Sequence, residues 1–157
     1  MTELRLISFL PAATEMVFAL GLGDRLFGVS YECDFPAPAK TKPVVVKPAL
    51  LLEKMSDIAA LSPEILIVSP CGFGLDEAVE QAKQLLQQPG WNDLPAVLND
   101  RVFAVNANAY FSRPGPRVVD GVELLAHLIH PELCHWHGSR NAFRKIRVSD
   151  IPSHRCP

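Results

Sequence analysis

Apolar runs alternate with helical patterns along this chain, and that alternation constrains the fold more than any other feature. Residues 4–10 form a short apolar run, and residues 12–20 then carry apolar side chains at helical spacing. A second strand is predicted over residues 24–30, which completes a β-α-β unit. Residues 64–68 (EILIV) resemble a strand of a parallel sheet that is covered on both faces. The sequence therefore predicts an α/β fold, with a mainly parallel sheet and flanking helices.

The second half of the chain continues the pattern and then loses it. Residues 76–87 have the apolar face of an amphipathic helix, residues 101–105 the composition of a strand, and residues 118–129 that of a last helix. Residues 106–116, between the last strand and helix, are predicted to be an irregular loop. From Cys134 onward no helical or strand period is sustained, so residues 134–157 are predicted to be an irregular tail.

Length, charge and hydropathy limit the size, the partners and the location of the protein. The chain has 157 residues, which suits one ordinary domain. Its charged residues make up 20% of the sequence and the formal net charge is −2, so nucleic acid is not predicted as a partner. Neither a secretory signal nor a run long enough to span a membrane is visible. As written, the chain is predicted to be cytoplasmic.

Two strand-end loops are candidate ligand contacts, because ligands of open α/β sheets bind outside the carboxyl ends of the strands. Residues 70–74 (PCGFG) offer Phe73 on a glycine-rich turn, although an ordinary strand-to-helix turn explains them equally well. They match neither a dinucleotide fingerprint nor a phosphate-binding loop. In the loop over residues 106–117, Asn108 adds an amide, and Tyr110 and Arg113 suit a large ligand that is partly aromatic and partly polar. The alternative is that Tyr110 and Phe111 cap the core.

Catalysis is not predicted. Cys33 follows Tyr31 and Glu32 at another strand end, but no histidine lies in any of the strand-end loops to act as its base. An enzyme that uses Cys33 or Cys71 stays a weaker hypothesis. Metal capture by the cysteines and histidines after residue 133 is also disfavoured, because their spacing matches no standard zinc site. Neither a metal nor a cofactor is predicted.

Several longer motifs point to one family. The opening RLISFLPAATEMVFALGLGDRLFGVSYECDFP, the segment KPALLLEKMS, and the stretch that contains SPCGF and NAYFSRPGPR together resemble the cobalamin- and siderophore-type solute-binding proteins of ABC transporters. The combination of SFLPAATE, PCGF and NAYFSRPGPR is more specific than any one of the three. The resemblance covers residues 1–133, and its nearest branch is that of the cobalamin binders.

The resemblance implies a function and a set of contacts. Such proteins have two Rossmann-like α/β lobes joined by a helix, hold the ligand between the lobes, and dock on an ABC permease. Tyr110 and Arg113 match residues that line the corrinoid cleft. Tyr31 and Glu32 match the facing loop, and Phe73 lies in a corresponding strand-end loop. A non-catalytic binder of cobalamin, or of a related corrinoid or metal chelate, is therefore expected. Members are typically periplasmic or exposed at the cell surface.

The resemblance also divides the chain. Residues 1–56 match the first lobe, residues 57–133 match the end of the second lobe, and residues 134–157 match neither. The rest of the first lobe, the connecting helix and the start of the second lobe have no counterpart here. An alternative function follows from this: a shortened α/β fragment that has lost its ligand and acts, if at all, as a homo-oligomer.

Overall fold

The structure is a computed structural model that describes residues 4–46, 55–112 and 117–150. In its first half, three strands, β1 (Leu6–Ser8), β2 (Leu26–Ser30) and β3 (Val44–Val46), form a parallel sheet in the order β1-β2-β3. Helix α1 (Pro11–Ala19) connects β1 to β2. Proline suits the first turn of a helix, because the backbone N–H groups there have no partner within the helix. This is the β-α-β unit predicted from the sequence.

The second half contains another three-stranded sheet. Strands β4 (Leu66–Val68) and β5 (Val102–Val105) pair in parallel, and β6 (Phe143–Ile146) pairs antiparallel with β5. Because only the β5–β6 pairing is antiparallel, the described sheets are mainly parallel. The predicted α/β class is confirmed.

The helices predicted over residues 76–87 and 118–129 are present close to those positions. Helix α2 spans Met55–Leu61, α3 spans Leu75–Leu86 and α4 spans Pro95–Leu98. Two further helices follow, α5 over Ala107–Tyr110 and α6 over Arg117–Ile129. The predicted irregular loop therefore begins with one helical turn, α5. Asn106 caps the start of this turn, because its Oδ1 accepts a hydrogen bond from the Ala109 N–H. No helix of the described residues is long and apolar enough to cross a membrane.

Both faces of the sheets are covered. Apolar side chains of α1 and α6 form one core with residues from both halves, including Leu6, Val29 and Ile65. On the opposite face α3 and α4 cover a second core, which contains Leu66 and Val102. The neighbours Ile65 and Leu66 belong to different cores because successive side chains of a strand point to opposite faces. This explains why the run around β4 is apolar on both faces.

The two sheets meet edge to edge at β1 and β4. The Glu64 N–H donates a hydrogen bond of 3.2 Å to the Arg5 carbonyl oxygen, at the start of both strands. The Arg5 side chain strengthens this end, since its Nε donates to the Leu61 carbonyl oxygen at 2.7 Å and its guanidinium lies 3.9 Å from the centre of the Phe27 ring. At the other end, Ser8 and Ser69 line one cavity, so β1 and β4 run in the same direction.

The two three-stranded sheets therefore adjoin at β1 and β4, which places the strands side by side in the order β3-β2-β1-β4-β5-β6. In a sheet of this order, the chain winds outward in opposite directions from β1 and β4, and their carboxyl ends border the crevice where ligands bind. The halves are thus joined side by side around a shared core, whereas the resemblance implied lobes that face each other across a cleft. The predicted segment boundaries at residues 56 and 133 stay predictions.

The segment after residue 133 is not irregular throughout, and this corrects the prediction. Strand β6 pairs with β5 over four residues, and both Ala142 and Ile146 are buried. The Asn106 N–H also donates a 2.8 Å hydrogen bond to the Ala142 carbonyl oxygen. The sequence pattern does not reveal this strand, because Arg144 and Lys145, in its centre, are both exposed and interrupt the apolar alternation. Backbone pairing with β5 needs no such alternation.

Candidate functional site

The carboxyl ends of β2 and β4 present two exposed aromatic side chains. Tyr31 follows β2 and is 48% exposed, and Phe73 follows β4 and is 37% exposed. Strand β1 lies between β2 and β4 in the sheet order, so their ends are roughly 10 Å apart at ordinary strand spacing. Tyr31 and Phe73, both predicted ligand contacts, therefore lie on either side of the junction of β1 and β4.

A hydrogen bond orients the first of these aromatic rings. The Tyr31 hydroxyl donates to Glu32 Oε1 at 3.1 Å, and both residues are exposed. This bond, together with the negative charge of the carboxylate, raises the pKa of Tyr31 above its ordinary value. At neutral pH the phenol is therefore a neutral donor beside an acceptor.

The second aromatic ring is carried by a turn that is tied to the neighbouring loop. Asn108 Nδ2 donates to the Gly72 carbonyl oxygen at 2.8 Å, and the Asn108 backbone N–H donates to the Phe73 carbonyl oxygen at 3.1 Å. Gly72 has a φ of +81°, a conformation that favours glycine. Asn108 thus lies beside Phe73, and its amide holds the turn in place.

Tyr110 lies in the core, where only 7% of the residue is exposed. Its ring packs edge-to-face on Trp136, with centroids 5.7 Å apart, and Phe111 beside it is also buried. The position of Tyr110 and Phe111 agrees with the alternative that they cap the core. Arg113, the other predicted contact of this loop, lies outside the described residues. Ligand binding by either residue stays a prediction.

Hydroxyl groups that the sequence did not single out surround Cys33. The Thr14 hydroxyl lies 2.8 Å from Ser8 Oγ and 3.1 Å from Cys33 Sγ, and Ser30 Oγ lies 3.2 Å from the same sulfur. All four residues are buried. Their hydrogen bonds to one another satisfy polar groups where β1, α1 and β2 meet. A short polar residue at the end of an apolar strand, such as Ser8 or Ser30, is the signal that could have revealed this cluster.

The cysteines do not come together with other metal ligands in the described ranges. There, no group of three His, Cys, Asp or Glu side chains is placed to hold a metal ion. Cys71 is an exposed free thiol, and Cys134 is free and half-buried. His154 and Cys156 belong to the cysteines and histidines after residue 133 that were considered as metal ligands, and they lie outside the described residues.

Two concave regions lie beside helices α1 and α6. A cavity of about 40 Å³ lies at the junction of β1 and β4, between the strands and the apolar faces of α1 and α6. A more open groove of about 520 Å³ runs along α1 and α6, and the exposed side chain of Phe35 borders it. The exposed rings of Tyr31 and Phe73 line neither region. They lie on the carboxyl edge of the sheet, where a large ligand has open access.

Sequence comparisons relate part of the chain to binding proteins. No family model matches it. The Vitamin B12-binding protein of Vibrio vulnificus is 42% identical over 69 residues, which are 43% of this chain and 24% of that protein. Its counterpart in Vibrio parahaemolyticus is 40% identical over 81 residues, or 51% and 28% of the two chains. The matched region thus spans about a quarter of the length of these relatives.

Two further similarities are weaker. An uncharacterized ABC transporter substrate-binding lipoprotein of Bacillus subtilis is 38% identical over 52 residues, which are 33% of this chain and 16% of that protein. The crystal structure of the periplasmic vitamin B12 binding protein of Vibrio cholerae aligns with 82% of this chain and 97% of its own, at 19% identity and a TM-score of 0.40. The sequence matches confirm, over about half of the chain, the resemblance to cobalamin-type solute-binding proteins.

Proposed function

We propose that this chain binds cobalamin or a related corrinoid at the carboxyl edge of its sheet, without chemistry. One observation carries the proposal: about 40% identity to Vitamin B12-binding proteins over 69 to 81 residues. What those relatives bind is a proposal here, because the match spans about a quarter of their length. The alternative is a shortened α/β fragment that has lost ligand binding and acts, if at all, through dimerisation.

The geometry of the edge supports this site. Tyr31 and Phe73 give apolar ring surface on either side of the β1–β4 junction, and the Tyr31–Glu32 pair adds a donor and an acceptor. A corrinoid combines a large apolar macrocycle with peripheral amides, so it suits aromatic surface with a few polar groups. The hydrogen bonds from Asn108 hold the turn that carries Phe73, which reduces the entropy lost on binding.

We extend the proposal to a partner and a location. A relative named as an ABC transporter substrate-binding lipoprotein supports an ABC permease as the partner of the loaded chain. A role as a carrier, and not as an enzyme, is likewise part of this proposal. The cytoplasmic location predicted from the sequence stays a prediction, and so does the periplasmic or cell-surface location that the resemblance implies.

Titration with cyanocobalamin, followed by calorimetry and visible absorbance, tests the proposal. We expect saturable binding, and we expect Tyr31→Ala and Phe73→Ala each to weaken it about tenfold, the factor that corresponds to about 1.4 kcal/mol. That is the size of one good aromatic contact. Both side chains are substantially exposed, so circular dichroism is expected to show unchanged folding in both variants.

The matched control is Phe35→Ala. Phe35 is 62% exposed, more than either proposed contact, but it borders the groove along α1 and α6. Its removal is expected to leave the affinity unchanged. If instead Phe35→Ala is the variant that weakens binding, the ligand occupies the groove and the edge site is wrong. If high micromolar cyanocobalamin produces no heat and no spectral change, corrinoid binding is refuted altogether.

A further inference from the structure

The cavity at the β1–β4 junction has an unusual lining. Its walls are mostly apolar and come from both strands and from the helices that cover them, for example Leu10, Ile67 and Leu125. Ser8 and Ser69 add hydroxyl groups from the ends of the two strands. All of the lining residues that the structure describes are uncharged. The cavity lies where a sheet with this strand order binds ligands.

The two hydroxyl groups differ in their hydrogen bonds. Ser8 Oγ lies 3.2 Å from the Leu10 carbonyl oxygen, to which it donates, and accepts from the Thr14 hydroxyl at 2.8 Å. Ser69 Oγ is buried and makes no hydrogen bond to the described residues. Buried hydroxyl groups in folded proteins nearly always have a partner. The free hydrogen-bonding capacity of this cavity is therefore concentrated on Ser69.

Size and charge limit what can bind there. A cavity of about 40 Å³ holds roughly three water-sized positions, at about 10–15 Å³ for each. An ionised group is disfavoured, because no described lining residue could compensate a buried charge. A neutral molecule of a few non-hydrogen atoms, with an apolar body and one hydroxyl group, would match both the walls and Ser69.

We propose that the cavity between β1 and β4 is a second binding site, specific for small neutral alcohols, in which the Ser69 hydroxyl is the hydrogen-bonding partner of the ligand. Tyr31 and Phe73, the aromatic contacts proposed for corrinoids, do not line this cavity. It extends beneath the sheet towards α1 and α6, and its binding energy comes from apolar burial and one hydrogen bond.

Titration of the ¹⁵N-labelled chain with 2-propanol, followed by amide chemical shifts, tests this site. We expect saturable shifts at Ser8, Ser69 and Phe111, all of which line the cavity. Ser69→Ala is expected to weaken 2-propanol binding about fivefold, the usual worth of one neutral hydrogen bond. Xenon, which fills the same space without hydrogen bonds, is expected to bind that variant as well as it binds the original chain. Ser139→Ala, at an exposed position, is the control and is expected to change neither titration.

Three results would overturn the proposal. The first is a set of shifts that spread over the surface and do not saturate, as for a solvent effect. The second is a Ser69→Ala variant that binds 2-propanol as tightly as the original chain. The third is an equal loss of 2-propanol and xenon in that variant, which would show that Ser69 shapes the cavity without contacting the ligand. Because cyanocobalamin takes no part in this experiment, its outcome is independent of the corrinoid proposal.

Discussion

We expect Gly121→Ala to lower the free energy of unfolding by about 1–3 kcal/mol, the usual cost of overpacking a core. Gly121 lies within α6, where the helix passes α5 and α1. A Cβ atom at this position would lie 2.5 Å from the Tyr110 carbonyl oxygen and 3.1 Å from Met16 Cε. The methionine side chain can move aside, but the carbonyl oxygen belongs to the backbone. Relief of the contact therefore requires α6 to shift away from α5.

The expected loss of unfolding free energy is opposite in sign to the effect of this substitution in an ordinary helix. In an ordinary helix the same substitution stabilises, because alanine is favoured over glycine by about 1 kcal/mol. Urea unfolding followed by circular dichroism measures the difference. Val119→Ala, at a position of α6 that is 66% exposed, is the control and is expected to stay within about 0.5 kcal/mol. A Gly121→Ala variant as stable as the original chain would contradict the close approach of α6 to Tyr110.

The second large effect is expected at Ile146, in β6. This side chain is 2% exposed and belongs to the core on the α3 face, although it lies in the segment predicted to be irregular. Ile146→Ala leaves a cavity between β6 and α3 and is expected to cost about 2–5 kcal/mol. The same urea experiment measures it. The neighbouring Lys145 is exposed, so Lys145→Ala serves as the control and is expected to change stability by less than about 0.5 kcal/mol.

Equal stabilities of the Ile146 and Lys145 variants would mean that residues 143–146 do not pack on the sheet. The original expectation of an irregular tail would then be correct. The predicted difference follows from the position of the two residues in one strand. Ile146 is opposite Val102 and Lys145 is opposite Phe103 in the pairing with β5, so their side chains point to opposite faces.

The sequence predicts the elements better than it predicts their arrangement. Helices α3 and α6 carry a clear apolar face, and β4 lies within a short run of apolar residues, so each appears within one or two residues of its expected bounds. The junction of β1 and β4 depends on contacts between residues far apart in sequence, such as Arg5 with Glu64. A local pattern contains no information about such a contact.

The residues of the candidate site also differ in how far the sequence predicts their positions. Tyr31 and Phe73 could be predicted because they follow strands, and a position after a parallel strand determines the edge on which a side chain lies. The sequence offers the burial of Tyr110 only as an alternative, because its ring contacts Trp136, a residue in a segment without a periodic pattern. The hydrogen bonds of Asn108 depend on the distance between two loops, which sequence spacing does not give.

Hydrogen exchange with and without cyanocobalamin tests the central claim most directly, since it maps the bound surface along the whole chain. Our account predicts slower exchange on binding in the loops that follow β2 and β4, at residues 31–34 and 71–74, where Tyr31 and Phe73 lie. It predicts no change at residues 15, 16, 18 and 19 of α1, which border the groove. Protection along α1 and α6 alone, or no protection anywhere at saturating cyanocobalamin, would contradict a corrinoid site at the carboxyl edge of the sheet.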